Sequence, residues 1–413
     1  METQADASRL IERPGPLSWL RQWAGRDVIK VVTGVRRCGK STLLNMFQAD
    51  LAASGVEPRA IVSLNLEDPD HADLLGDYRL LYNHIKGRLR PDGPTYVFVD
   101  EIQNADQFER VVDGLFILKG VDLYLTGSNS QLLAGPLARL LTGRYVELRL
   151  LPLSFSEFAA RLGGGSPKAA DPLRDWYDTY TRTGGFPFAA SLEDLGQVRQ
   201  YLEGVLDTVL MRDAAGLAGA PDPLRLRAVT EFVFSSIGSL ASPRRIADAM
   251  TSAGRAISRT TIERCLAALA AAFLTYPAAR WDVRGKRLLE SGQKHYVVDT
   301  GLRRALLGDR PADRGHVLEN LVYLELLRRG GKVMVGKIGA GEVDFVVEDS
   351  SGSTFIQVAA EADAPGVLER ELAPLRAAPG YQPRLLLTLD REPPQSYDGI
   401  RRLSALEWLA GLA

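Results

Sequence analysis

The run Gly34-Val35-Arg36-Arg37-Cys38-Gly39-Lys40-Ser41-Thr42 sets two glycines around four variable positions and closes on a lysine and two hydroxyls. Glycines let a backbone turn tightly, so that successive N–H groups and the positive end of a following helix face an anion. A lysine at the end of such a turn suits the β- and γ-phosphates of a nucleoside triphosphate, and the next hydroxyl suits the shell of a Mg2+ ion. All nine residues are therefore candidates for nucleotide contact, with Lys40 catalytic and Ser41 a metal ligand. A second group stands further on, where the β-formers Tyr96-Val97-Phe98-Val99 end in Asp100-Glu101. A lone acid there would be a strand meeting solvent. Two adjacent acids suit a division of labour in which Asp100 holds Mg2+ and Glu101 polarises the attacking water.

Two weaker groups follow. Residues 123–126 (LYLT) run into Gly127-Ser128-Asn129-Ser130, where polar groups beside the acidic strand can touch a γ-phosphate, with Asn129 as the catalytic candidate. A simple Gly-Ser-Asn turn fits the same letters. Arg139 and Arg144 come next, and an arginine here could neutralise transition-state charge in a neighbouring subunit. Arg144, between a glycine and a β-like run, is the better candidate; a solvated arginine is the alternative.

The elements that must hold these residues can be read coarsely. Residues 29–33 (IKVVT) form a short buried strand and residues 41–49 a helix directly after the loop. Strands and helices alternate to about residue 150, as in a parallel sheet covered on both faces. Residues 161–172 (RLGGGSPKAADP) make a break, after which helical patterns dominate, including residues 197–211. From about residue 231 the pattern becomes short helices and a hairpin. Residues 243–251 and 258–272 read as a helix-turn-helix, with Ser258 as N-cap and Ile262, Cys265, Leu266 and Leu269 inward. Two strands around a basic turn at Arg284, Gly285, Lys286 and Arg287 complete a winged helix. This stretch carries ten basic side chains, Lys294 among them, against four acids. Arg244, Arg245, Arg259, Arg264, Arg284, Lys286 and Arg287 are the candidates for DNA phosphate contact, while a winged helix used only as a protein contact is the alternative.

GVRRCGKSTLL, YVFVDEIQ, LYLTGSNSQLL, LTGRYVELRLLPLSFSEF and TGGFP, in this order, resemble the prokaryotic AAA+ ATPases related to the archaeal ATPase group. Arg212-Asp213, KHYVVDTGL and GHVLENLVYLEL resemble the domain of unknown function fused to them. The resemblance implies an α/β fold with four parts: a P-loop AAA+ core (1–160), a helical lid (161–230), a winged helix-turn-helix (231–310) and a C-terminal α/β domain (311–413). It implies Asn129 or Ser128 as first sensor, Arg144 as arginine finger, and Asn65 as a restraint on Glu101. Mg2+-dependent ATP hydrolysis by a homo-oligomeric ring or arc, coupled to DNA binding or remodelling, is the expected function. The alternative is a switch-type ATPase that acts on a protein partner.

The last hundred residues hold a further constellation. Glu319, Asp344 and the strand FIQVAAE align with the acid, acid, acid-x-lysine pattern of restriction-type nucleases, but Gln357 replaces the third acid and Ala359 the lysine. Loss of a metal-ligand charge and of the lysine together predicts a nuclease-like scaffold without nuclease chemistry.

Composition fits these expectations. A chain of 413 residues is too long for one core, and a formal charge of −1 argues against a globally basic nucleic-acid coat. Two cysteines, Cys38 and Cys265, rule out a disulfide framework, and His71, His84, His295 and His316 show no ligand spacing for zinc. No signal-like apolar segment or membrane span is evident, so a soluble cytoplasmic protein is expected.

Overall fold

The computed structural model describes residues 11–133, 143–162, 171–217, 219, 221–285, 287–339, 341–350, 352–391 and 395–413. Contacts divide the chain into two compact units, Met1–Leu150 with Ala271–Phe273, and Leu151–Ala270 with Leu274–Ala413. Arg139 and Lys286 lie outside the described residues.

The first unit is built on five strands: β1 (Ile29–Thr33), β2 (Ile61–Asn65), β3 (Thr95–Asp100), β4 (Val121–Gly127) and β5 (Tyr145–Arg149). They form one parallel sheet in the order β2-β3-β4-β1-β5. Helices α1 (Pro14–Trp23), α2 (Lys40–Ala53), α3 (Tyr78–Lys86) and α4 (Phe108–Phe116) connect and cover it. β1 is buried along its whole length and β3 everywhere but at the half-buried Tyr96, which is why IKVVT and TYVFVD read as near-continuous apolar runs rather than alternating ones. Val31, Val97, Val99, Leu123 and Leu125 pack under α3 and α4 through Leu81, Ile85, Val111 and Leu115. Phe47 of α2 meets Phe98 and Tyr124 at centroid distances of 6.2 and 5.4 Å, fixing the helix that carries the loop lysine over the sheet.

The second unit opens with α5 (Phe155–Leu162), α6 (Pro172–Thr183), α7 (Leu195–Thr208) and α8 (Pro223–Ser235). Helix α5 packs within this unit, with Phe155 and Phe158 against Tyr177 and Tyr180 of α6. The helix expected to run to residue 211 changes at Val209 into a π-helical turn, Val209–Ala214.

Next come β6 (Leu240–Ala241), α9 (Pro243–Ser252), α10 (Arg259–Ala271), β7 (Thr275–Asp282) and β8 (Arg287–Val297). Ser242 and Ser258 cap the two helices, with side-chain oxygens accepting from Arg245 N and Thr261 N. Ile262, Cys265 and Leu269 are fully buried as their spacing requires, and Leu266 is half-buried.

The chain ends with α11 (Thr300–Leu307), α12 (Arg314–Arg328), β9 (Lys332–Ile338), β10 (Gly341–Asp349), β11 (Gly352–Ala359), α13 (Val367–Ala377), β12 (Arg384–Thr388), β13 (Gln395–Tyr397), β14 (Ile400–Ser404) and α14 (Ala405–Ala410). One mixed sheet runs through the unit in the order β13-β14-β12-β11-β10-β9-β7-β8-β6. The β7–β8 hairpin is joined to the last strands by parallel pairing of Arg280–Asp282 with Val335–Lys337.

Two of the sequence motifs meet inside this unit. A side chain at Gly184, where φ is 74°, would place Cβ 2.2 Å from the Asp299 carboxylate, and one at Gly301 would lie 2.5 Å from Thr183. Asp299 instead accepts from Gly185 N at 2.6 Å and caps α11 through Leu302 N at 2.7 Å. Burial raises its pKa to about 6 against the pull of these amides. Thus TGG and DTG are two halves of one joint. Asp299→Ala removes a cap and orphans a second buried amide, so a loss of roughly 2–4 kcal/mol is expected, read as a lower urea midpoint. Asp299→Asn, which retains an acceptor, should lose less; an unchanged midpoint for the alanine variant would refute the joint.

Candidate active site

The phosphate loop leaves β1 at Thr33 and enters α2 at Lys40. At Gly34, φ is 153° and a Cβ would come within 2.2 Å of the Leu150 carbonyl oxygen, so no side chain fits. Gly39 takes φ 101° as the residue before the helix. Between them Cys38 is buried, its thiol 3.3 Å from the Leu150 carbonyl. Burial pushes this thiol's pKa up, against the activation that a helix N-terminus would give. Arg13, itself buried, donates to the Cys38 carbonyl at 3.3 Å, and Arg36 pairs with Glu67 at 2.6 Å.

Lys40 is 4% exposed. Its ammonium donates to the carbonyls of Gly34 and Val35 at 3.0 and 3.5 Å and lies 3.3 Å from the Glu101 carboxylate. Burial disfavours the ammonium, but Glu101 and Asp100 outweigh it and raise its pKa.

The two acids end β3. Asp100 accepts from the hydroxyls of Thr126 and Ser41, which ties the proposed metal pair together. Burial, reinforced by the Glu101 charge, raises its pKa despite these hydrogen bonds. Glu101 has φ 53° and ψ 49°, a left-handed conformation costly for a residue with a side chain and characteristic of functional sites. Its N–H donates to Thr126 Oγ1 at 2.9 Å, and its carboxylate accepts from Gln103 Nε2. Burial would raise the Glu101 pKa, yet Lys40, Gln103 and Arg36 bring it below the usual value. The carboxylate is thus held ionised, as a general base requires.

Ser128 is buried, 3.4 Å from Gln103 Nε2, and Asn129 is half-buried just past β4. Asn65, expected to restrain Glu101, instead accepts from Glu67 N at 2.9 Å through its side-chain oxygen, and the side chains that meet the Glu101 carboxylate are Gln103 and Lys40. Arg144 precedes β5, where Ile29 N donates to its carbonyl, and its guanidinium lies 3.2 Å from Asp113. It stands at the opposite end of β1 from the loop, roughly 15 Å away at the rise of a strand. An arginine there is out of reach of its own chain's phosphate loop.

Thr126, Gln103 and Arg13 were not singled out from the sequence. Thr126 reaches Asp100 and the Glu101 amide only because β4 lies beside β3, whereas Gln103 meets Glu101 two residues away along the chain.

A loop glycine where a Cβ cannot fit, a second at positive φ, an ionised Glu101 and the Ser41–Asp100 pair fit a triphosphate with Mg2+. Among the described residues no group of three or more His, Cys, Asp and Glu is arranged to hold a metal ion, and no helix is long and apolar enough to cross a membrane.

In the second unit Glu319, Asp344 and Gln357 do come together. Gln357 Oε1 accepts from Asp344 N at 3.2 Å, and Val358 N donates to Asp344 at 3.0 Å. Ala359 is packed in the apolar core. The cation at this cluster is Lys294 of β8, which lies 2.9 Å from Glu319, 2.9 Å from Glu342 and 3.4 Å from Asp344. Lys294 therefore does not belong to the basic surface of the hairpin; it is 4% exposed. The remaining described candidates, Arg244, Arg245, Arg259, Arg264, Arg284 and Arg287, are exposed, with Arg259 paired to Glu263 at 2.9 Å.

Residues 26–159 match the AAA domain family, and residues 174–313 match a domain of unknown function, DUF8612. An uncharacterized protein of Haemophilus influenzae is 34% identical over 402 residues, covering 97% of this chain and 98% of that protein. An uncharacterized protein of Methanocaldococcus jannaschii is 26% identical, covering 77% and 72%. Among solved structures, a Walker-type ATPase of Pyrococcus abyssi aligns at 15% identity and a TM-score of 0.49, over 72% of this chain and 96% of that one.

Proposed function

This chain belongs to the family of its Haemophilus influenzae relative and carries an AAA domain, and from that premise we propose that it hydrolyses ATP to drive work on DNA. One observation carries the reading: Lys40, Ser41, Asp100 and Glu101 converge at the ends of β1 and β3, with Lys40 against Glu101 and Ser41 against Asp100. Loop amides and Lys40 would bind the phosphates, and Ser41 and Asp100 would hold Mg2+, which supplies charge neutralisation when bound. Glu101 would accept a proton from the attacking water, with Gln103 and Lys40 orienting it. Ser128 and Asn129, just past β4, would sense the γ-phosphate, and Arg144 would serve a neighbouring copy in a ring or arc.

Within the second unit we assign residues 161–230 to a lid, 231–310 to a winged helix and 311–413 to a nuclease-like scaffold without a complete cleavage site. The exposed arginines of the helices and hairpin support phosphate contact with DNA. A switch-type ATPase is the second reading, favoured by the Lys40–Glu101 ion pair, which engages the base with the very lysine that must bind phosphate.

Turnover separates the two. ATP hydrolysis measured alone and with single-stranded, duplex and forked DNA should rise with DNA, fall back as salt increases, and lose its stimulation in Arg284→Ala/Arg287→Ala. Turnover indifferent to every nucleic acid would refute the DNA reading and leave the switch.

A further inference from the structure

A cavity of about 230 Å³ lies between α6, α11 and the start of α12, wholly within the second unit. Five arginines line it, Arg182, Arg303, Arg304, Arg310 and Arg314, against the acids Asp178 and Asp309. Two of the five are committed: Arg303 to Asp313 and the Phe234 carbonyl, and Arg304 in a two-pronged pair with Asp309. Arg182 donates only to a backbone carbonyl, that of Asp178 at 2.9 Å. The guanidinium groups of Arg310 and Arg314 are exposed and have no ion-pair partner among the described residues. Positive charge is thus in excess around a concave site.

Two hydroxyls in the same wall are also unspent. Thr300, 4% exposed, has a buried Oγ1 with no hydrogen-bond partner. Tyr177 is equally buried, and its hydroxyl has none among the described residues. An orphaned buried hydroxyl is costly, and Thr300 Oγ1 is one in a wall that also carries the unneutralised guanidiniums. Asp313 flanks the start of α12 without capping it, since its carboxylate is turned to Arg303, so the first amides of that helix add to the positive field.

We propose that this cavity binds a phosphate-bearing anion, with Arg310 and Arg314 as the principal charges, Arg182 as a third, and Thr300 and Tyr177 donating to its oxygens. A single carboxylate would leave most of that charge uncompensated, whereas planar guanidiniums match the oxygens of a phosphate or pyrophosphate. The anion can come from a free phosphorylated molecule or from a nucleic-acid backbone. The proposal does not depend on ATP hydrolysis.

The test uses the full chain carrying Lys40→Ala, which disables the phosphate loop, titrated calorimetrically with pyrophosphate, ADP or a short DNA duplex at near-physiological salt. Saturable binding is expected, weakened about tenfold for each of Arg310→Ala and Arg314→Ala and less by Thr300→Val. Saturation by pyrophosphate or ADP under the control of the two arginines identifies a free ligand, and saturation by the duplex alone under the same control identifies backbone phosphate. No saturation by any of the three, or binding indifferent to both arginines, overturns the proposal.

Discussion

Glu101→Gln retains ATP binding and loses turnover by about a hundredfold or more, whereas Lys40→Ala loses both. The first effect follows from the size of general-base catalysis, about 10² to 10⁴ in rate. Glutamine is the same shape, can still meet Gln103, and cannot take a proton. It also removes a negative charge 3.3 Å from the Lys40 ammonium, which frees the lysine for phosphate, so affinity should hold or improve. Lys40→Ala acts on both partners. It deletes the charge that would bind phosphate, and it takes from the buried Glu101 the main influence holding its pKa down. Fluorescent-nucleotide binding with phosphate release distinguishes the cases. Normal turnover in Glu101→Gln would refute the assignment of the base.

The nucleotide site was legible in the sequence because its chemistry is local. Gly34, Gly39, Lys40 and Ser41 sit in one turn, and Asp100 and Glu101 end one strand, so neighbours in sequence are neighbours in space. What supports them is not local. Thr126 reaches Asp100 and Glu101 only because β4 lies beside β3. Arg13 reaches the loop from the turn before α1. The same distinction explains the second unit. The two helices of residues 243–271 announced themselves by caps and apolar spacing, but their hairpin is part of a nine-stranded sheet whose strands come from more than a hundred residues of chain. Asp299 was quoted in a motif without its partner, because Gly184 and Gly185 lie over a hundred residues away. Lys294, counted as one more basic residue of a wing, had no sequence signal to mark it as buried.

Lys294 is where that missing information has the largest energetic consequence. Its ammonium faces Glu319, Glu342 and Asp344, and Tyr296 adds a hydroxyl to Glu319 at 2.6 Å. Burial and the charge of Glu319 raise the Asp344 pKa to about 7 even with the lysine present. Lys294→Met fills similar volume but leaves three carboxylates facing one another, and breaking a buried pair from one side costs about 3–5 kcal/mol. The loss must depend on pH. A carboxyl whose folded pKa is raised favours the folded state below its unfolded value near 3.8, and that contribution disappears as pH rises through about 7. Without Lys294 the Asp344 carboxyl holds its proton still more tightly, so the variant should be most destabilised at alkaline pH and recover part of the loss in mild acid. Urea midpoints on both sides of neutrality read this directly. Because β8 brings the lysine and α12 and β10 bring the acids, the same variant should loosen the hairpin from the last strands, seen as faster amide exchange in β7 and β8. Equal destabilisation at both pH values would mean that Lys294 contributes packing alone, and the charge account of this cluster would fail.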